Sequence, residues 1–279
     1  MSGDTDALRS ARRELLTQLS NLAIVDKAWV FKSIVPRLSW DRSDAAEIWR
    51  SAIKMTWLNW DLLREIKDDF VRAASHFNEL DSSGEWYANV FVTMATSKNS
   101  GYGPATYREI IRLLPREGRL AVARRIRDML HNAGEKIDIY WKEEMGPFVK
   151  NIWPPEDEYS DSEIAGHLFS GIAYCKDVFA DAAHVLLDKH RGTVVLDDVA
   201  FRLANPPKGT ESRCKLYPDD VLNILSRVDR TRNNYGVAMW VGKCLDVIGA
   251  LPRKNNKDTF AKDERYVLLK VYVDINRGS

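Results

Sequence analysis

A recurrence with a period of 38 residues is the feature that most constrains the fold of this chain. Trp141, Phe179 and Tyr217 stand one period apart, and each is followed two positions later by an acid. Apolar residues then recur four, seven and eight positions after each aromatic residue, and these offsets share one face of an α-helix. They are Met145, Ala183 and Val221; Phe148, Leu186 and Ile224; and Val149, Leu187 and Leu225. Because this period lies between those of helix-pair and HEAT-like repeats, it predicts stacked helical hairpins.

The pattern weakens on either side of these three copies. One period upstream Gly103 replaces the aromatic residue, and one period downstream Asn255 stands in a polar run. We therefore predict an all-α fold, an elongated array of helical hairpins of the HEAT-like or α-solenoid type. Its two halves, residues 1–100 and 101–279, are expected to pack together as one continuous array, with the boundary at the glycine-containing segment 96–104. The alternative is an irregular helical domain.

Residues that favour helix starts recur along the chain. The candidate N-caps are Asp26, Ser43, Asn59 or Asp61, Ser160 or Asp161, and Asp177. We predict helices over residues 46–58 and 62–77, and another that begins at Pro218, since proline suits the first turn of a helix. For residues 193–203 a helix or a short strand remains open. For residues 265–275 we favour a closing helix over a strand.

Composition and charge exclude several classes of protein. Hydrophobic residues make up 45% of the chain and charged residues 29%, which is enough apolar material for a core and excludes a disordered chain. The net charge of +1 produces no global field toward nucleic acid or a membrane. No apolar run reaches the roughly 20 residues of a membrane span, and the polar N-terminus lacks the features of a signal peptide. Three dispersed cysteines fit reduced thiols, so we predict a cytoplasmic protein without membrane contact.

Sequence motifs give no indication of catalysis. No P-loop or G-x-S-x-G motif is present, and the Gly-Tyr-Gly segment at 101–103 lacks the third glycine of a dinucleotide-binding loop. No two of the five histidines are spaced three or four residues apart, as metal ligands on one helix face would be. Adjacent acids such as Asp219 and Asp220 diverge by about 100° on a helix, and both suit a helix N-terminus. We predict a non-enzymatic protein with no cofactor and no metal.

A cluster of arginines lies between positions 108 and 127. The candidate binding patch consists of Arg108, Arg112, Arg116, Arg119, Arg124 and Arg125. Arg108, Arg112 and Arg116 are four residues apart, as along one strip of a helix. Guanidinium groups pair bidentately with phosphates and carboxylates, so this patch could bind a phosphate or an acidic partner. The alternative function is therefore a nucleic-acid-binding helical repeat, and the simpler explanation of the patch is a solvated helix face.

Aromatic, aliphatic and proline residues follow a distinctive order over about residues 100–255. The order is Leu113-Leu114-Pro115, Trp141, Phe148, Ile152-Trp153-Pro154, Phe179, Leu186-Leu187, Tyr217-Pro218, Leu222, Leu225, Leu245 and Leu251-Pro252. It resembles the C-terminal helical, HEAT-like region of large bacterial antiviral defence proteins, notably those with a sirtuin-like or NTPase effector at the N-terminus.

This resemblance implies a role in recognition, regulation or assembly, because in those proteins the effector domain carries the chemistry. This chain departs from that plan, since no effector domain precedes the helical region. It is then a fragment of such a protein, a stand-alone partner of a separate effector, or an unrelated helical protein. We expect a non-enzymatic recognition or regulatory module in bacterial antiviral defence, with a separate effector or other complex subunits as its protein partners.

Overall fold

The computed structural model describes residues 6–55, 58–155, 157–159, 161–206, 210–229, 234–252 and 259–277. Within these ranges the chain is helical and contains no strand, which confirms the predicted all-α class. Extended pairing is limited there to two isolated bridges, Val194 with Val228 and Pro252 with Thr259.

The chain divides into two compact units. The first comprises residues 1–125 and 151–154, and the second comprises residues 126–150 and 155–279. Helices of the first unit are α1 (Asp6–Thr17), α2 (Leu19–Val25), α3 (Lys27–Ser33), α4 (Ala45–Ala52), α5 (Trp60–Glu65), α6 (Lys67–Ser75), α7 (Gly84–Thr96), α8 (Pro104–Leu113) and the beginning of α9 (Arg116–Asn132). The second unit contains the rest of α9, α10 (Ile137–Tyr140), α11 (Gly146–Asn151), α12 (Ser162–Ile172), α13 (Phe179–Lys189), α14 (Asp197–Ala204), α15 (Arg213–Leu216), α16 (Pro218–Leu225), α17 (Tyr235–Gly249) and α18 (Glu264–Arg277).

Aromatic side chains form the core of the first unit. The rings of Phe70 and Tyr87 stack at 4.7 Å, and Tyr102 and Tyr107 stack at 5.7 Å. The polar atoms of four large side chains reach backbone carbonyls: Trp49 Nε1 donates to Leu38 at 2.7 Å, Tyr87 to Phe70 at 3.0 Å, Tyr102 to Leu63 at 2.6 Å and Tyr107 to Met94 at 3.0 Å. These bonds allow hydroxyl and indole groups to be buried while each keeps a hydrogen-bond partner.

Two helices of the first unit are shorter than the sequence predicts. The helix expected over residues 46–58 ends at Ala52, and part of that range lies outside the described residues. Its N-cap is Asp44 rather than Ser43. The segment expected as one helix breaks at Ile66, whose ψ of 18° interrupts the helix between α5 and α6. The cap predictions for Asp26 and Asn59 are confirmed, since their side chains accept from Trp29 N and Leu62 N.

The second unit consists of two layers of helices. One layer contains the end of α9 followed by α12, α14 and α17, and the other contains α10 and α11 followed by α13, α16 and α18. The apolar residues of the 38-residue pattern are buried between the layers, except that Leu187 is half-buried. Two glycines allow close packing within α12. A Cβ on Gly171 would lie 3.1 Å from Arg127 Cα, and one on Gly166 would lie 2.6 Å from the Val195 carbonyl oxygen.

Contacts about one period apart connect successive helices of one layer. The Asp138 carboxylate accepts from the backbone N–H groups of Lys176 and Asp177, both at 2.8 Å. Trp141 Nε1 donates to Asp181 at 3.1 Å, and the rings of Phe179 and Tyr217 are 5.4 Å apart. The aromatic residues and one acid that mark the period in the sequence thus contact the neighbouring copy.

Local predictions in the second unit have mixed outcomes. Asp161 caps α12, Pro218 begins α16, and residues 265–275 lie in the helix α18, as expected. Asp177 is not the N-cap of α13, because the N-cap residue is Val178. The backbone N–H of Asp177 instead donates to the Asp138 carboxylate. Both alternatives for residues 193–203 occur in part: α14 begins at Asp197, and Val194 pairs with Val228 as a single bridge.

Replacing Asp138 by alanine removes both hydrogen bonds to the turn before α13. We expect D138A to lower the free energy of unfolding by about 1–3 kcal/mol, because two backbone amides lose an ionised acceptor. The urea midpoint at unchanged slope measures this decrease. The matched control is D188A on the exposed side of α13, which should stay within about 0.5 kcal/mol of the wild type. Equal effects of the two substitutions would contradict this role for Asp138.

Gly166 is required where α12 passes the Val195 carbonyl. A methyl group there would lie 2.6 Å from a backbone oxygen that cannot swing aside, so G166A should destabilise the second unit by about 1–3 kcal/mol despite the better helix propensity of alanine. Gly103 provides the control, since a Cβ there meets nothing within 4 Å and its φ is −86°. Thermal unfolding followed by circular dichroism compares them; a G166A protein as stable as G103A would show that the close approach is not rigid.

Candidate interaction site

The arginines of the predicted patch are divided between two helices. Arg108 and Arg112 are exposed on α8, while Arg116 begins α9. The expected strip of three arginines along one helix is therefore wrong. Leu114 is extended (ψ 133°) because it precedes Pro115, and a residue before proline is disfavoured in the helical region.

The remaining arginines of the patch are half-buried and point in different directions on α9. Arg119 Nη1 donates to the Leu114 carbonyl oxygen at 2.5 Å and so binds the backbone just after α8. Arg124 lies 3.6 Å from the Glu85 carboxylate on α7. Arg125 follows Arg124 directly, about 100° around the helix. Part of the positive charge counted in the sequence therefore serves contacts within the first unit, and Arg108 and Arg112 form an exposed pair on α8.

A second cluster, in the second unit, crosses the helices of one layer. We call it the ladder: His131, Tyr174, Arg202, Phe201, Trp240 and Lys243. The His131 ring, on α9, lies 4.6 Å from the Tyr174 ring just after α12. The guanidinium of Arg202, on α14, lies over the Tyr174 ring at 4.4 Å from its centroid. Three successive helices of the layer thus meet at one tyrosine.

The ladder continues from α14 to α17. Phe201 meets Trp240 edge to face at a centroid distance of 4.9 Å, and Lys243 Nζ lies 4.0 Å from the Trp240 ring. Phe201 remains 43% exposed, and Trp240 and Tyr174 are half-buried. Aromatic rings and cations that are already held in place by neighbours, yet still reach solvent, can contact a partner with little loss of side-chain entropy.

Hydrogen bonds that involve α12 and α14 hold the ladder residue Arg202 in place. Arg202 Nε donates to Asp198 Oδ2 at 2.7 Å and to Ser170 Oγ at 3.0 Å, and the buried Ser170 hydroxyl donates to Asp198. Arg127 donates to His167 Nδ1 at 3.0 Å, so that nitrogen is the acceptor. Burial lowers the pKa of the Arg202 guanidinium, and the nearby charge of Arg127 lowers it further. These polar contacts position Arg202 over Tyr174.

The ladder residues are of the types that dominate binding energy at protein interfaces. Tryptophan, tyrosine and arginine are enriched among such residues, and their pockets are well packed. No sequence motif indicated these residues. The sequence offers one clue to them, an aromatic residue next to a cation on an amphipathic helix, as in Phe201-Arg202. The residues that touch in the ladder are too far apart in the sequence for a local pattern to show that they are neighbours.

Other chemical groups of the second unit have structural partners. Asp219 binds Arg265 at 2.9 Å and Asp220 binds His184 at 2.9 Å, so these adjacent acids point apart, as predicted. Burial raises the pKa of Asp220 and raises the pKa of the Cys175 thiol to about 12. Cys175, Cys214 and Cys244 are buried free thiols.

Metal-binding clusters and membrane-spanning helices are both absent from the described ranges. There, no group of three or more His, Cys, Asp or Glu side chains is arranged to hold a metal ion. Nor does any helix in this part of the chain combine the length and apolarity needed to cross a bilayer. In comparisons with known proteins, no family model, no curated protein and no solved structure matches the chain.

The divided arginine patch leads to a prediction about nucleic acid. Because the net charge is +1 and Arg119 and Arg124 are engaged within the fold, we expect the chain to bind neither DNA nor RNA at low salt in gel-shift assays. If binding is seen, the double variant R108A/R112A tests the patch. The control is R42A, because the Arg42 guanidinium pairs with Asp44. The prediction would be contradicted if binding weakens in R108A/R112A and not in R42A, and if the slope of log affinity against log salt concentration becomes flatter by about one unit for each arginine replaced.

Proposed function

We propose that the chain is a non-enzymatic protein-interaction module whose second unit is a HEAT-like array, with the ladder as its contact surface. The observation that carries this proposal is the set of cations and half-exposed aromatic rings across α9, α12, α14 and α17. Helical arrays use surfaces that extend over several helices to bind extended partners. The ladder fits this use because α9, α14 and α17 each contribute at least one side chain, and the turn after α12 contributes Tyr174.

The array is supported by the pairing of helices in the second unit. Several segments contact the segment about one period later: Asp138 and Trp141 contact the turn and first residues of α13, and the Phe179 ring contacts the Tyr217 ring. An irregular helical domain gives no reason for contacts to repeat at this spacing. Contact between neighbouring segments at about this separation is the arrangement expected of stacked helical hairpins.

We infer the biological setting from the sequence resemblance. The module would act in the cytoplasm of a bacterium as a recognition or regulatory part of an antiviral defence system. Its protein partners would be a separate effector, or other subunits of a complex, that supply the chemistry. The motif order over about residues 100–255 is the basis for this part of the proposal.

Affinity capture with the intact chain from native cells, followed by mass spectrometry, tests the function. The recovered protein is then purified and its binding measured by calorimetry with ladder variants. We expect F201A and W240A each to weaken binding at least tenfold, because truncation of a central aromatic residue at an interface costs about 2 kcal/mol or more. Both side chains reach solvent, so the fold should survive these changes.

The control is W86A. Trp86 lies on α7 in the first unit and is 45% exposed, so it matches Trp240 in type without belonging to the ladder. Partner affinity should be unchanged in W86A. Equal decreases of partner affinity in W86A and W240A would show that the ladder is not the contact surface. Turnover of a small molecule by the purified chain, with no protein partner recovered, would overturn the proposed function as a whole.

A further inference from the structure

One side of α18 carries a stripe of exposed apolar side chains. Val267, Val271 and Ile275 are four residues apart and are 47%, 52% and 62% exposed, and Leu268 beside them is 42% exposed. The opposite side of the helix is buried through Leu269, Tyr272 and Val273 against α16 and α17. The helix is therefore apolar on both sides, which is unusual for a helix that faces water.

Another exposed apolar side chain lies near the end of α18. Asn234 N donates to Asn276 Oδ1 at 2.8 Å, which brings the beginning of α17 to the end of α18. Tyr235, the first residue of α17, is 64% exposed at this junction. Contiguous exposed apolar side chains with a polar margin are typical of an interaction site. We call Tyr235, Val267, Leu268, Val271 and Ile275 the α18 face.

We propose that the α18 face binds a second copy of this chain, with the two α18 helices antiparallel about a twofold axis at Val271. The spacing of the stripe is symmetric about that residue. In this arrangement Val271 contacts Val271 of the other copy. Val267 of each copy contacts Ile275 of the other, so the symmetry produces two such contacts. A twofold interface requires such a self-complementary surface, and the stripe supplies it.

The charges along the edge of the stripe favour the same arrangement. Lys270 and Asp274 lie on one edge of the stripe and are 3.3 Å apart within the chain. Antiparallel pairing about Val271 brings Lys270 of each copy to within a turn of Asp274 of the other, so two reciprocal ion pairs form. In a parallel pair, by contrast, the twofold axis runs along the helices, so the Lys270–Asp274 edges of the two copies lie on opposite sides of the interface and cannot pair with each other.

This inference is independent of the proposed function, because it concerns the purified chain alone. Five side chains make a smaller interface than the roughly 800 Å² per partner typical of stable complexes. We therefore expect a dimer that dissociates on dilution. Its state is measured by sedimentation velocity over a concentration series.

Single cysteine substitutions test the register. All three native cysteines are buried, so an introduced thiol is the reactive one. V271C should form a disulfide-linked dimer under mild oxidation, because symmetry brings its two copies together. V267C alone should not, since its two copies would be about 12 Å apart along the helices. A mixture of V267C and I275C should cross-link as a heterodimer. Cross-linking by V267C alone to the same extent would overturn the antiparallel arrangement.

A charge placed on the stripe tests the interface without a thiol. V271E should sediment as a monomer at concentrations where the wild type is dimeric, with an unchanged circular dichroism spectrum. The matched control is I139E on α10, where an isoleucine that is 59% exposed lies outside the α18 face. The proposal would be overturned if the wild-type chain stays monomeric over the whole concentration series and V271C gives no cross-link. The α18 face would then bind another protein or a further segment.

Discussion

The second unit depends on contacts between segments that lie about one period apart in the chain. The Asp138 carboxylate accepts two backbone N–H groups from the turn before α13. Trp141 adds a side-chain contact to Asp181 beside it. Polar groups of one segment are thus satisfied by side chains or backbone of the next, so neither segment completes its hydrogen bonding alone.

The first unit solves the burial of polar groups differently. Trp49, Tyr87, Tyr102 and Tyr107 lie in its interior, and each donates its one polar hydrogen to a backbone carbonyl, as Tyr102 does to Leu63. Leu38 and Leu63 lie at or near the ends of helical segments, where carbonyls lack an intrahelical partner. Trp49 and Tyr102 therefore fill the core and also bind these carbonyls.

The sequence predicted the features that depend on neighbouring residues. The helical class, the caps Asp26 and Asp161 and the proline at the start of α16 follow from local rules, and each is found. The arginine strip failed although the local signal, a proline at position 115, was available. The ladder was beyond sequence reasoning for a different reason. Its members come together only when α9, α12, α14 and α17 stack, and no short-range pattern specifies which exposed side chains of stacked helices will touch.

One helical segment contains a wider turn. Trp141–Met145 form a π-turn, in which the N–H of Gly146 bonds to the Trp141 carbonyl oxygen. Such a turn takes up one more residue than an α-helical turn. The residues buried after Trp141, namely Met145, Phe148 and Val149, nevertheless keep the offsets of Val221, Ile224 and Leu225 after Tyr217. The wider turn therefore leaves the spacing of the buried side chains unchanged, and an alignment of these two copies needs no gap here.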